Sequence, residues 1–83
     1  MKHARSDYDH IQDPNNKIPA DEPVFLLRGQ DVNAPHAVRM YAAAHRRSGG
    51  SHDLADMAEA QAEAMEEWQN DNKFAGKVAD LPK

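Results

Sequence analysis

The chain has 83 residues, with 14 acidic side chains against 10 Lys and Arg for a net charge of −4, and no cysteine. That length accommodates one small domain and excludes a second, while the missing thiols exclude a disulfide framework and a thiolate zinc site. No stretch approaches the roughly 18 apolar residues of a membrane span, and the first seven residues carry no apolar leader core, so a cytoplasmic location away from the membrane is expected.

Residues 1–17 are polar and rich in turn formers, ending in Asp13-Pro14-Asn15-Asn16. They read as a flexible N-terminal segment, with Tyr8 to Gln12 too short and polar to stand as a strand. Residues 18–70 read as a helical hairpin domain and 71–83 as a C-terminal tail in which Phe74, Val78 and Leu81 are the only anchors. Within the domain, Val24-Phe25-Leu26-Leu27 is the densest apolar run. Four consecutive apolar residues suit a doubly buried strand or one turn of helix equally well, so 23–28 is expected as a short extended or one-turn segment packed on the hairpin through Phe25 and the leucines. If extended, it has unpaired edges and requires Tyr8 to Gln12, or its own copy in a second chain, as a partner.

The first helix is expected from about 34 to 48. Asn33 suits its N-cap and Asp31 stands close enough to serve instead. Pro35 is tolerated in a first turn, and Gly49-Gly50 stops the helix behind Arg46 and Arg47. The second is expected from about 53 to 70, capped by Ser51 or Asp53. In it Leu54, Ala58, Gln61, Met65 and Trp68 recur in steps of four and three, joined by Met57 and Ala64. That spacing is the seam of a helix packed on a helix, so Val38, Tyr41, Leu54, Met57, Met65 and Trp68 are predicted to be buried together. The fold class is mainly α, a small αα-hairpin with a thin core, and a thin core implies help from a homodimer or another protein partner.

Charge is the unusual signal. Between Asp53 and Asp71 stand seven acids and no Lys or Arg, a local charge of −7, while the rest of the chain carries +3. Helical periodicity puts all seven acids opposite the predicted seam, and Asp56, Glu59, Glu63, Glu66 and Glu67 form a candidate partner-binding face. The plainer reading is a solvated face that keeps a small protein soluble, partly neutralised by Arg39, Arg46 and Arg47. Those three arginines are also the basic patch of an alternative reading, a nucleic-acid-associated regulator, against which the net charge argues.

Catalytic and metal chemistry find no support. His3, His10, His36, His45 and His52 include no pair at i, i+4, the carboxylates have no apolar pocket to raise a pKa, and Ser48-Gly49-Gly50-Ser51 lacks the strand and lysine of a phosphate loop. His45 is expected to form a hydrogen bond within the hairpin. A non-enzymatic chain without cofactor or metal is the expectation.

The run Ile18-Pro19-Ala20-Asp21-Glu22-Pro23-Val24-Phe25-Leu26-Leu27-Arg28-Gly29-Gln30-Asp31, with Ala34-Pro35 and the helix end Met65-Glu66-Glu67-Trp68-Gln69, resembles a group of short uncharacterised bacteriophage and prophage proteins. The likeness runs from about Tyr8 to Gln69. It implies a protein partner of bacterial host origin, and by analogy inhibition of a host enzyme or defence complex, anti-CRISPR action included.

Overall fold

The computed structural model describes residues 1–4 and 13–72, which fall into two compact units, one reaching to Leu27 and the other starting at Arg28. Tyr8 to Gln12 and the tail from Lys73 onward lie outside the described residues.

In the first unit Pro23–Val24 is extended (β2) and pairs in parallel with Lys2–His3 (β1), with Lys2 opposite Pro23 and His3 opposite Val24. Of the apolar run only Val24 stands in this strand, and its partner among the described residues is the chain's own start. The reason is local. Turns at Asp13 and Pro19 fold the segment back, the Asp13 carboxylate accepting Lys17 N–H at 3.1 Å and Ile18 N–H at 2.9 Å, while Pro19 C=O accepts Glu22 N–H at 3.1 Å. Pro19 C=O also takes the Met1 ammonium at 2.5 Å, and Glu22 C=O takes Lys2 N–H at 2.6 Å. Pro23 has no N–H to offer, which suits the edge of so short a ladder. Phe25, expected against the hairpin, is 67% exposed.

The second unit is the helical hairpin, α1 (Ala34–Arg47) followed by α2 (His52–Asp71), within two residues of the expected ends. Asn33 occupies the N-cap of α1 but its side chain makes no capping bond; Asp31 serves instead, its Oδ1 accepting Asn33 N–H at 2.8 Å and its C=O accepting Ala34 N–H at 3.0 Å. Pro35 then removes a donor that would have had no intrahelical partner. The other end closes with Gly50 N–H on His45 C=O and Gly49 N–H on Arg46 C=O, a Schellman arrangement in which Gly49 adopts φ +79°. Ser51 Oγ accepts Leu54 N–H at 3.4 Å and starts α2.

The seam between the helices is not the one the large side chains predict. Ala34, Ala42, Ala55 and Ala62 are fully buried, whereas Tyr41 is 52%, Leu54 40%, Met57 66% and Trp68 43% exposed; Val38 and Met65 are half-buried. In α2 the packed line runs Ala55, Ala58, Ala62, Met65, Gln69, again in steps of three and four, so the expected stripe shares only Ala58 and Met65 with it. Alanines let the two backbones approach closely, and the rotation that aligns them brings carboxylates of α2 over the arginines of α1 and seats Gln69, whose Nε2 donates to Gly29 C=O at 2.9 Å and Asp31 C=O at 3.0 Å. One buried amide thus ties the loop before α1 to the end of α2 through two loop carbonyls at once.

Candidate interaction surface

Counting from the packed line organises every other side chain of α2. One residue later along the chain, about 100° round the helix, come Asp56, Glu59, Glu63, Glu66 and Asn70; one residue earlier come Leu54, Met57, Gln61, Ala64 and Trp68. The hairpin therefore has a charged flank and an apolar flank either side of its alanine seam. The acids do not stand opposite the seam, as periodicity alone suggested, but beside it. Of the five candidate residues, Asp56, Glu59, Glu63 and Glu66 line the charged flank, and Glu67 lies a further turn of about 100° away from α1.

Helix α1 repeats the arrangement. Its packed line is Pro35, Val38, Ala42 and His45; one residue later come Arg39 and Arg46, one earlier Ala37, Tyr41 and Ala44. Arg39 Nη2 meets Glu66 Oε1 at 2.5 Å, and Arg46 Nη2 meets Asp56 Oδ1 at 2.7 Å and Glu59 Oε2 at 3.2 Å. The hydrogen bond from Arg39 holds the Glu66 carboxyl below its ordinary range, and the bond to Glu66 raises Arg39 in return, helped by the fields of Glu63 and Glu59. These pairs are half-exposed and open to salt, so each contributes little more than alignment. Glu63, Glu67 and Arg47 form no ion pair among the described residues. Two of the three arginines of the basic patch are thereby engaged with the hairpin's own acids, and the patch is reduced to Arg47.

His45 departs from expectation. Its ring stacks on Tyr41 with centroids 5.9 Å apart and covers Gly50, while Nε2 is buried with no hydrogen-bond partner among the described residues. Among those residues no three histidine or carboxylate side chains converge as a metal site would require, and none of the helices is long and apolar enough to cross a membrane.

The apolar flank was missed as a surface because its residues were assigned to the core. The signal that separates the two stripes was present in the alanines: Ala55, Ala58 and Ala62 keep the same step pattern one residue out of phase with Leu54, Met57 and Gln61. No family model, curated protein or solved structure matches the chain.

Proposed function

We propose that the chain is a non-enzymatic, phage- or prophage-type interaction module of the bacterial cytoplasm that docks its charged flank on a basic groove of a host protein, an enzyme or a defence complex. The observation that carries this reading is the imbalance along that flank. Asp56, Glu59, Glu63 and Glu66 stand in steps of three and four on one rigid helix, two arginines answer them, and Glu63 remains without an ion pair among the described residues. A regular row of half-exposed carboxylates on a preorganised helix steers association with a basic surface and selects against acidic ones. Nucleic acid fits less well, since Arg39 and Arg46 would have to leave their carboxylates to reach phosphate.

The test replaces carboxylates that form no ion pair among the described residues. Glu63→Gln with Glu67→Gln preserves the helix, and its association rate with a basic partner recovered from bacterial lysate is expected to fall by about tenfold at low salt and to lose most of its salt dependence. Equal rates for the variant and the parent chain, in both salts, overturn the docking role and leave the flank as a solvated surface.

A further inference from the structure

We infer that Gln69 is the residue that selects the rotation of α2 against α1, holding the hairpin on its alanine seam in preference to a second seam about 100° away that the same helix carries. The inference stands whether or not the charged flank docks on a partner, because it concerns how that flank comes to lie where it does.

Helix α2 offers two lines of equal regularity. The packed line from Ala55 to Gln69 and the line from Leu54 to Trp68, one residue earlier, follow the same steps of three and four. On the side towards the second line α1 sets only Ala37, Tyr41 and Ala44, with no charge to oppose it. Apolar area favours that second line: Leu54, Met57 and Trp68 are all exposed in the structure, and each would bury more than the alanine it displaces. Something other than hydrophobic area therefore sets the rotation.

The ion pairs of Arg39 with Glu66 and of Arg46 with Asp56 and Glu59 exist only at the observed rotation, but they are half-exposed, and such pairs are screened and weak. Close contact between alanines gains dispersion, and so do larger side chains. Gln69 differs from both. It is buried, and its Nε2 donates to Gly29 C=O at 2.9 Å and to Asp31 C=O at 3.0 Å, which uses both amide hydrogens. Turning α2 by one residue breaks the two bonds together, and the bond to Asp31 is a buried one, where an unmade hydrogen bond costs most.

The loop is not free to follow the helix round. Asp31 is fixed to the start of α1, its Oδ1 accepting Asn33 N–H and its C=O accepting Ala34 N–H as well as the Gln69 amide. Gly29 lies against the same face of α2, where a Cβ would stand 3.7 Å from Met65 Cγ. The loop is thus a socket built on α1 that one face of α2 fits, and a single buried polar side chain is well suited to fixing register in this way. The choice governs the charged row. At the observed rotation Asp56, Glu59, Glu63 and Glu66 stand beside α1; at the other, periodicity carries them to the side of α2 turned away from it.

Two variants of the full chain test this. Gln69→Glu keeps the shape of the side chain but sets a carboxylate against two carbonyl oxygens, and Gln69→Ala removes the amide with a better helix former. Both are expected to keep the helix content of the parent chain by far-ultraviolet circular dichroism. Two probes then read the rotation. The Glu66 carboxyl, held below its ordinary range in the parent chain by the bond from Arg39, is expected to return to the ordinary range when its titration is followed by NMR. Fluorescence from Trp68, the only tryptophan, is expected to move to shorter wavelength and to lose most of its quenching by acrylamide. A role in stability alone lowers the urea midpoint and leaves both probes at their parent values. A helical variant in which either probe keeps its parent value overturns the inference. So does loss of helix in both variants, since the amide then holds the hairpin together and does not choose between two seams.

Discussion

At the scale of single residues the turn between the helices carries the tightest constraints. Gly49 at φ +79° sits where an L side chain is strained, and the Schellman bonds on either side leave the chain no other route. Gly50 is required for a different reason: a Cβ there would lie 2.3 Å from the ring of His45. That ring is held by its stack on Tyr41, so it does not swing aside freely. Gly50→Ala is therefore expected to cost about 1 to 2 kcal/mol by urea unfolding, and the cost is expected to vanish in a His45→Ala background. Persistence of the penalty without the imidazole would place its cause in the backbone.

At the scale of the element, α2 has three parallel stripes and the packed one is the smallest in volume. This reverses the ordinary ranking of core substitutions. Trp68, 43% exposed, is not the anchor of the hairpin, and Trp68→Ala is expected to cost about 1 to 2 kcal/mol, less than the 3 to 5 kcal/mol of a fully buried aromatic. Ala62 is fully buried where two backbones approach, and Ala62→Leu, which deletes nothing, is expected to cost about 3 kcal/mol or more by forcing the helices apart. Urea midpoints ordered the other way would return the large residues to the seam. The capping of α1 belongs here too, because the loop from Arg28 to Asn33 is shaped by Asp31 and held by Gln69, a contact between residues 38 positions apart.

For the molecule as a whole, the segment from Asp53 to Asp71 carries −7 against +3 elsewhere, and the pair of Glu66 with Arg39 links the two through a bond that depends on pH. Glu66 has its folded pKa below the ordinary 4.5 because Arg39 donates to the ionised form, so its contribution is complete above the unfolded value and is lost as pH falls through the folded one. Arg39 shifts upward through its bond to Glu66 and stays charged throughout, so it adds no slope of its own in acid. The parent chain is expected to be more stable than Glu66→Gln at pH 7, and the gap to close as pH drops below about 4.5, read from urea midpoints at a series of pH values. A gap that survives at pH 2 would mean that the glutamate acts through packing and not through its charge.

Periodicity, Pro35, Gly49-Gly50 and the capping residues were enough to specify two helices, their ends and the hairpin turn, because those features act through the backbone within a few residues. The clustering of acids on α2 and of arginines on α1 was equally legible, being a property of composition. What the sequence left open was rotation. A helix with apolar residues in three- and four-residue steps at two adjacent phases has two candidate seams, and hydrophobicity favours Leu54, Met57 and Trp68 over Ala55, Ala58 and Ala62. Only the tertiary structure decided for the alanines, since close backbone approach, the reach of Arg39 and Arg46 to carboxylates 27 and 10 residues away, and the bonds of Gln69 to two loop carbonyls are all satisfied at one rotation of α2 against α1. The same holds for Val24, whose partner His3 is fixed by the structure and not by the apolar run itself.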